Sequence, residues 1–117
     1  MNLSVIIAAG GIGSRMKTGG SKQLLQLAGQ PILARTAAVF EHHPDVNEII
    51  IAIEPADIER CRTEVVERFG LGKVTAVVPG GDCRARSVAN ALEAISADAD
   101  TVLVHDGARP LFPPELL

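Results

Sequence analysis

The chain has 117 residues, of which 47% are hydrophobic and 21% charged; this suits one folded domain with its own core and excludes a disordered segment. A net charge of −3 and a pI near 5.5 leave no basic stripe to displace counterions from a nucleic acid. With no Trp or Tyr there is also no platform on which single-stranded bases could stack.

The first element is an apolar run, Leu3 to Ala8, that reads as a strand. It opens into Ala9-Gly10-Gly11-Ile12-Gly13-Ser14-Arg15-Met16, with Lys22 six residues later. Glycines at 10, 11 and 13 allow a tight turn and bring backbone N–H groups against a bulky anion, while Arg15 and Lys22 supply charge where phosphate oxygens would lie. Residues 1–40 carry Arg15, Lys17, Lys22 and Arg35 with no acidic residue, a charge of +4 on a chain that is −3 overall. A glycine-lined cationic loop on an acidic body points to a small polyphosphate. The loop is neither of two common phosphate motifs. Met16 stands where a dinucleotide fingerprint needs its third glycine, with no acid about 20 residues on, and Gly20-Ser21-Lys22-Gln23 lacks the P-loop order.

Next, Pro31 sits as a first-turn residue of a helix with Ile32, Thr36, Val39 and Phe40 on one face. A second strand over Glu48–Ile53 ends in Glu54-Pro55, a plain turn. A second helix presents Ile58, Cys61, Val65 and Phe69 and is stopped by Gly70 and Gly72, with Arg60, Arg62, Glu64, Glu67 and Arg68 as a solvated outer face. A third strand, Lys73–Val78, delivers Pro79-Gly80-Gly81-Asp82, then Arg84, Arg86 and Ser87 entering a third helix whose inner face is Val88, Ala91, Leu92 and Ile95. Here Asp82 caps the helix, the glycines let backbone meet a flat polar ring, or both. A fourth strand, Asp100–Val104, leads into His105-Asp106-Gly107-Ala108-Arg109-Pro110. Asp106 either holds a turn with Arg109 or binds a metal, since Mg²⁺ on a nucleotide is held by one or two carboxylates and phosphate oxygens. His105 reads as a packed strand-end residue, and His42-His43 as solvated.

Nearly continuous Val- and Ile-rich strands alternating with helices predict a three-layer α/β, Rossmann-like sandwich around a mainly parallel sheet. In such folds ligands bind beyond the carboxyl ends of the strands, and three of these four ends carry glycine plus charge. Pro113-Pro114-Glu115-Leu116-Leu117 looks like a helix start that buries nothing, so the chain reads as cut from a longer one. Cys61 and Cys83 are too far apart for a redox pair or zinc knuckle and fit free thiols in a reducing cytosol. No signal peptide or membrane-spanning stretch is visible, so the expected location is cytoplasmic.

On these residues the chain resembles a nucleotidyltransferase, and most closely the 2-C-methyl-D-erythritol 4-phosphate cytidylyltransferase family. The match runs through Ala9 to Met16, Lys22-Gln23 and Leu27 to Leu33, then Gly80-Gly81-Asp82, Arg84, Ser87-Val88 and Ala91-Leu92, and finally Val104 to Pro110. The first part is shared with molybdopterin cytidylyltransferases; the later two separate the chain from them. Ser21 stands where the family usually has Pro, Gly107 where it has Ala, and Gly10 where Ala is common. The Ala9-Gly10-Gly11 form also occurs in ribitol 5-phosphate cytidylyltransferases, which keeps that acceptor open. The resemblance covers residues 1–117 as the nucleotide-binding, N-terminal part of one domain. It implies transfer of CMP from CTP to the polyol phosphate with release of pyrophosphate. Arg15 and Lys22 are then catalytic; Ala9, Gly10, Gly11, Gly13, Gly80, Gly81, Asp82, Arg84 and Ser87 bind the nucleotide; and Asp106 holds Mg²⁺. The resemblance further implies acceptor-binding residues and a homodimer arm in a C-terminal half, so that these 117 residues alone bind CTP without turnover. A dinucleotide-dependent oxidoreductase module is the rival disfavoured by Met16.

Overall fold

The computed structural model describes residues 3–9, 26–27, 30–81 and 83–106. Strand β1 (Leu3–Ala8) is followed by a two-rung hairpin, β2 (Gln26–Leu27) and β3 (Gln30–Pro31), and by helix α1 (Ile32–Glu41). Then come β4 (Val46–Ile53), a 3₁₀ turn at Pro55–Asp57, and helix α2 (Ile58–Cys61), which continues with π-type hydrogen bonding over Arg62–Glu67. Strand β5 (Val74–Pro79), helix α3 (Arg84–Leu92) and β6 (Thr101–Asp106) complete the described elements. The four long strands form one sheet in the order β5-β4-β1-β6, with every pairing parallel. This is the parallel α/β sandwich that the strand–helix alternation predicts.

The two central strands explain the unbroken apolar runs. β1 is buried at every residue and β4 at all but Asn47, because helices cover both faces. Odd-numbered residues of β1 (Leu3, Val5, Ile7) join Leu33, Ala37, Phe40, Cys61 and Val65 in a core with α1 and α2. Ile6 points the other way, to Ile50, Ala52 and Ala91, with Val88 and Val104 beside them, in a smaller core under α3. Sheet order and faces are linked. The chain moves outward from β1 to β4 to β5 with helices on one face, then returns past both strands to β6 with α3 on the opposite face, as right-handed crossovers require.

Three local readings change. Pro31 closes β3 against Gln26 and lies just before the helix instead of within it. Leu92 is 49% exposed, because the inner face of α3 runs through Ser87, Val88 and Ala91, a turn of the wheel away. β4 starts two residues before the apolar run, with Glu48 buried and both its carboxylate oxygens accepting from the Ser96 amide at 3.2 Å. The second helix ends as expected: Gly70 has φ +62°, a left-handed value that a side chain resists. Its outer face is the solvated charge ladder foreseen, with Arg60–Glu64 and Arg62–Glu59 pairs at 3.3 and 2.7 Å.

Candidate nucleotide site at the strand ends

The direction of strand addition reverses between β1 and β6, and in open α/β sheets such a switch point is where ligands bind beyond the carboxyl ends of the strands. In that place Ala8 stands in register with both Ala52 of β4 and Asp106 of β6. The backbone of Asp106 therefore lies beside the exit of β1, two residues before Gly10. Ala9 is fully buried, and its amide donates to the Ala52 carbonyl at 2.7 Å, which carries the β1 alignment one residue past the strand. The next carbonyl along β4, Ile53, points to the other neighbour and accepts from the Gly80 amide at 2.6 Å. Consecutive residues of one buried strand thus tether the roots of both glycine loops.

The second loop is held from α3 as well. The Gly81 amide donates to Ser87 Oγ at 2.9 Å, and the same hydroxyl donates to the Cys83 carbonyl at 3.2 Å. Ser87 is fully buried, so it is not the surface residue that a plain helix position would make it. Asn90, one turn on, donates from Nδ2 to the Pro79 carbonyl at 2.9 Å. With the amides of Gly80 and Gly81 both bonded inside the protein, their carbonyls are left open: among the described residues no group donates to either. Gly81 is needed for space. A Cβ there would lie 2.1 Å from Arg86 Cγ and 2.4 Å from Arg86 Cβ. The N-cap of α3 is Cys83 in extended conformation, one residue later than the Asp82 cap expected from sequence, and its side chain makes no capping bond.

Around these groups the other expectations sort clearly. Arg84 is the first residue of α3 and Asp106 the last of β6, both placed by their backbones. Gly10, Gly11, Gly13, Arg15, Lys22 and Asp82 lie outside the described residues. His105 packs its ring edge-on against the buried Phe40, centroids 5.4 Å apart, in the packing role anticipated. Both cysteines are free: Cys83 is exposed by the loop, whereas burial, and then the charge of Asp57, push the Cys61 thiol up to about 12 despite Arg62. Among the described residues, no three His, Cys, Asp or Glu side chains gather into a metal cage. Sequence reasoning missed Asn90, although its spacing of three from Ser87 puts both on one helix face.

The family model for IspD, 2-C-methyl-D-erythritol 4-phosphate cytidylyltransferase, matches residues 3–117. The chain belongs to the IspD family. A relative named 2-C-methyl-D-erythritol 4-phosphate cytidylyltransferase from Geotalea uraniireducens is 47% identical over 119 aligned positions, covering 100% of this chain and 51% of that protein. One from Alkaliphilus metalliredigens is 43% identical over 115, covering 98% of this chain and 48% of its own length. The solved 4-diphosphocytidyl-2C-methyl-D-erythritol synthase from Anaerococcus prevotii superposes with a TM-score of 0.78 at 29% identity, over 97% of this chain and 46% of that one. This IspD chain spans about half the length of the relatives it matches.

Proposed function

We propose that this chain is the CTP-binding part of an enzyme that transfers CMP to 2-C-methyl-D-erythritol 4-phosphate and releases pyrophosphate. The observation that carries the proposal is the acceptor surface of the second glycine loop. Its amides are occupied by Ile53 and Ser87, so the carbonyls of Gly80 and Gly81 favour a base that donates. Cytosine carries an amino group at the edge where uracil carries an oxygen, so this loop discriminates between them. Ala9 and the glycines at 10, 11 and 13 approach the triphosphate from the first loop, with Asp82 and Arg84 completing the base pocket and Ser87 holding the Gly81 amide behind it.

The reaction is an in-line displacement. A phosphate oxygen of the acceptor attacks the α-phosphorus of CTP, and the bond from that phosphorus to the bridging oxygen breaks as pyrophosphate leaves with its electron pair. Arg15 and Lys22, on the loop that follows β1, neutralise charge on the α-phosphate and the leaving group, which is where positioning and charge stabilisation matter most. Asp106 would hold Mg²⁺, and a bound Mg²⁺ neutralises triphosphate oxygens. The acceptor site and a homodimer contact are assigned to the other half of the protein, and the location to the cytoplasm; no helix among the described residues is long and apolar enough to cross a membrane. The Ala9-Gly10-Gly11 loop supports ribitol 5-phosphate as the second acceptor to test. Pyrophosphate release by the complete protein, measured with CTP and each polyol phosphate in turn, tests the assignment. Release with 2-C-methyl-D-erythritol 4-phosphate supports it; release with ribitol 5-phosphate alone, or with ATP in place of CTP, overturns it.

A further inference from the structure

The peptide plane between Pro79 and Gly80 is gripped at both ends. Its N–H donates to Ile53 in the buried strand β4, and its carbonyl accepts from Asn90 in α3. β5 is an edge strand, so no neighbouring strand lies on the side to which the Pro79 carbonyl points. Among the described residues only Asn90 donates to that oxygen, so without it the plane is held by the single bond to Ile53, about which it can tilt. The next plane is gripped through its own N–H, since Gly81 donates to Ser87. In a trans peptide the carbonyl points opposite to the N–H, so Ser87 directs the Gly80 carbonyl away from α3. The direction of that oxygen then depends on two successive planes, the first set by Asn90 and the second by Ser87.

We infer that Asn90 is a positioning residue for base selectivity: by fixing the Pro79–Gly80 plane it aims the Gly80 carbonyl at the amino group of the bound base. This rests on the CTP assignment above and adds a residue that touches no part of the nucleotide. Asn90 is partly exposed on a helix, and only its amide donor reaches the loop, so its removal leaves the core untouched. Asn90→Asp keeps the shape and substitutes an acceptor for the donor, which cannot bond a carbonyl.

The test compares the wild-type chain with Asn90→Ala and Asn90→Asp in two measurements. Amide hydrogen exchange at Gly80 and Gly81, read without nucleotide, should accelerate about three- to tenfold in both variants, the effect of one modest hydrogen bond. Titration with CTP, UTP and inorganic pyrophosphate, each with Mg²⁺, should show the preference for CTP over UTP falling by a similar factor while pyrophosphate affinity stays unchanged. A merely structural Asn90 would lower the melting temperature and leave the CTP-to-UTP ratio intact, and that result overturns the inference. Unchanged exchange at Gly80 overturns it independently of any nucleotide. Faster exchange in the variants, with no CTP preference in the wild type, would instead show that the CTP assignment had failed and would take the selectivity role down with it.

Discussion

Substituting Gly81 by alanine probes the second loop most sharply. Carbon atoms in contact ordinarily lie about 3.5–4.0 Å apart, yet a Cβ at Gly81 would sit 2.1 Å from Arg86 Cγ, 2.4 Å from Arg86 Cβ and 3.2 Å from the Arg86 carbonyl carbon. Arg86 Cγ can swing away by rotation, but Cβ is fixed to the α3 backbone, so the loop itself must retreat by about 1 Å to restore contact distance. That retreat lengthens the 2.9 Å bond from Gly81 to Ser87 beyond useful range. Overpacking of this kind costs roughly 1–3 kcal/mol, and the lost bond about 1 kcal/mol more. Reduced freedom of the unfolded chain returns roughly 0.4–1 kcal/mol, which leaves a net loss of about 1–3.6 kcal/mol. Urea unfolding at 25 °C should register that loss as a lower midpoint with unchanged slope, and CTP affinity should fall with it. Gly72→Ala is the control, because its Cβ would meet only Glu41 Oε2 at 3.8 Å, an ordinary contact. A Gly81→Ala chain as stable as wild type, with normal CTP affinity, would refute the close-approach argument.

Four further outcomes can be checked. Under native conditions an aromatic disulfide reagent should modify one thiol, the exposed Cys83, and both only after unfolding. Because the folded state raises the Cys61 pKa from 9.0 to about 12, it holds a proton that the unfolded state releases; stability from this group is intact below pH 9 and declines as pH rises from there towards 12, which urea midpoints at pH 8 and 10 should show. Asp106→Asn should fold normally and weaken the Mg²⁺-dependent part of CTP binding; a loss of stability with metal dependence intact would make Asp106 structural. In the complete protein, Arg15→Ala and Lys22→Ala should each lower kcat by about 10²–10³ with a smaller effect on the KM for CTP, and Lys22→Arg should not rescue; a raised KM with near-normal kcat would reduce the residue to a tether.

Much of the architecture was legible because β1 and β4 are central strands. Burial on both faces demands unbroken Val and Ile, and such runs are conspicuous in a sequence. The edges were harder to read. β5 and β6 are only partly covered, so their apolar runs place the strand but not its limits, and β6 runs two residues past Val104 to end at Asp106. Leu92 lies off the inner face of α3 despite its hydrophobicity, because the buried hydroxyl of Ser87 occupies the inner stripe. The glycine loop at Gly80-Gly81 was visible as a motif, but the reason for Gly81 was not, since it lies in the approach of Arg86 from the following helix and not in a left-handed backbone. Asn90 escaped notice for a related cause: a polar residue partway along a helix carries no signal until its carbonyl partner is known.

The central claim is that the nucleotide binds across the carboxyl ends of β1, β5 and β6. Titrating CTP with Mg²⁺ into the ¹⁵N-labelled chain and following each backbone amide tests it directly. The account predicts shifts concentrated at Ala9, Gly80, Gly81, Ser87 and Asp106, with Asn47, Thr75 and Ser96 at the opposite end of the sheet unmoved. Shifts centred on that opposite end, or equal shifts with UTP and CTP, would contradict it.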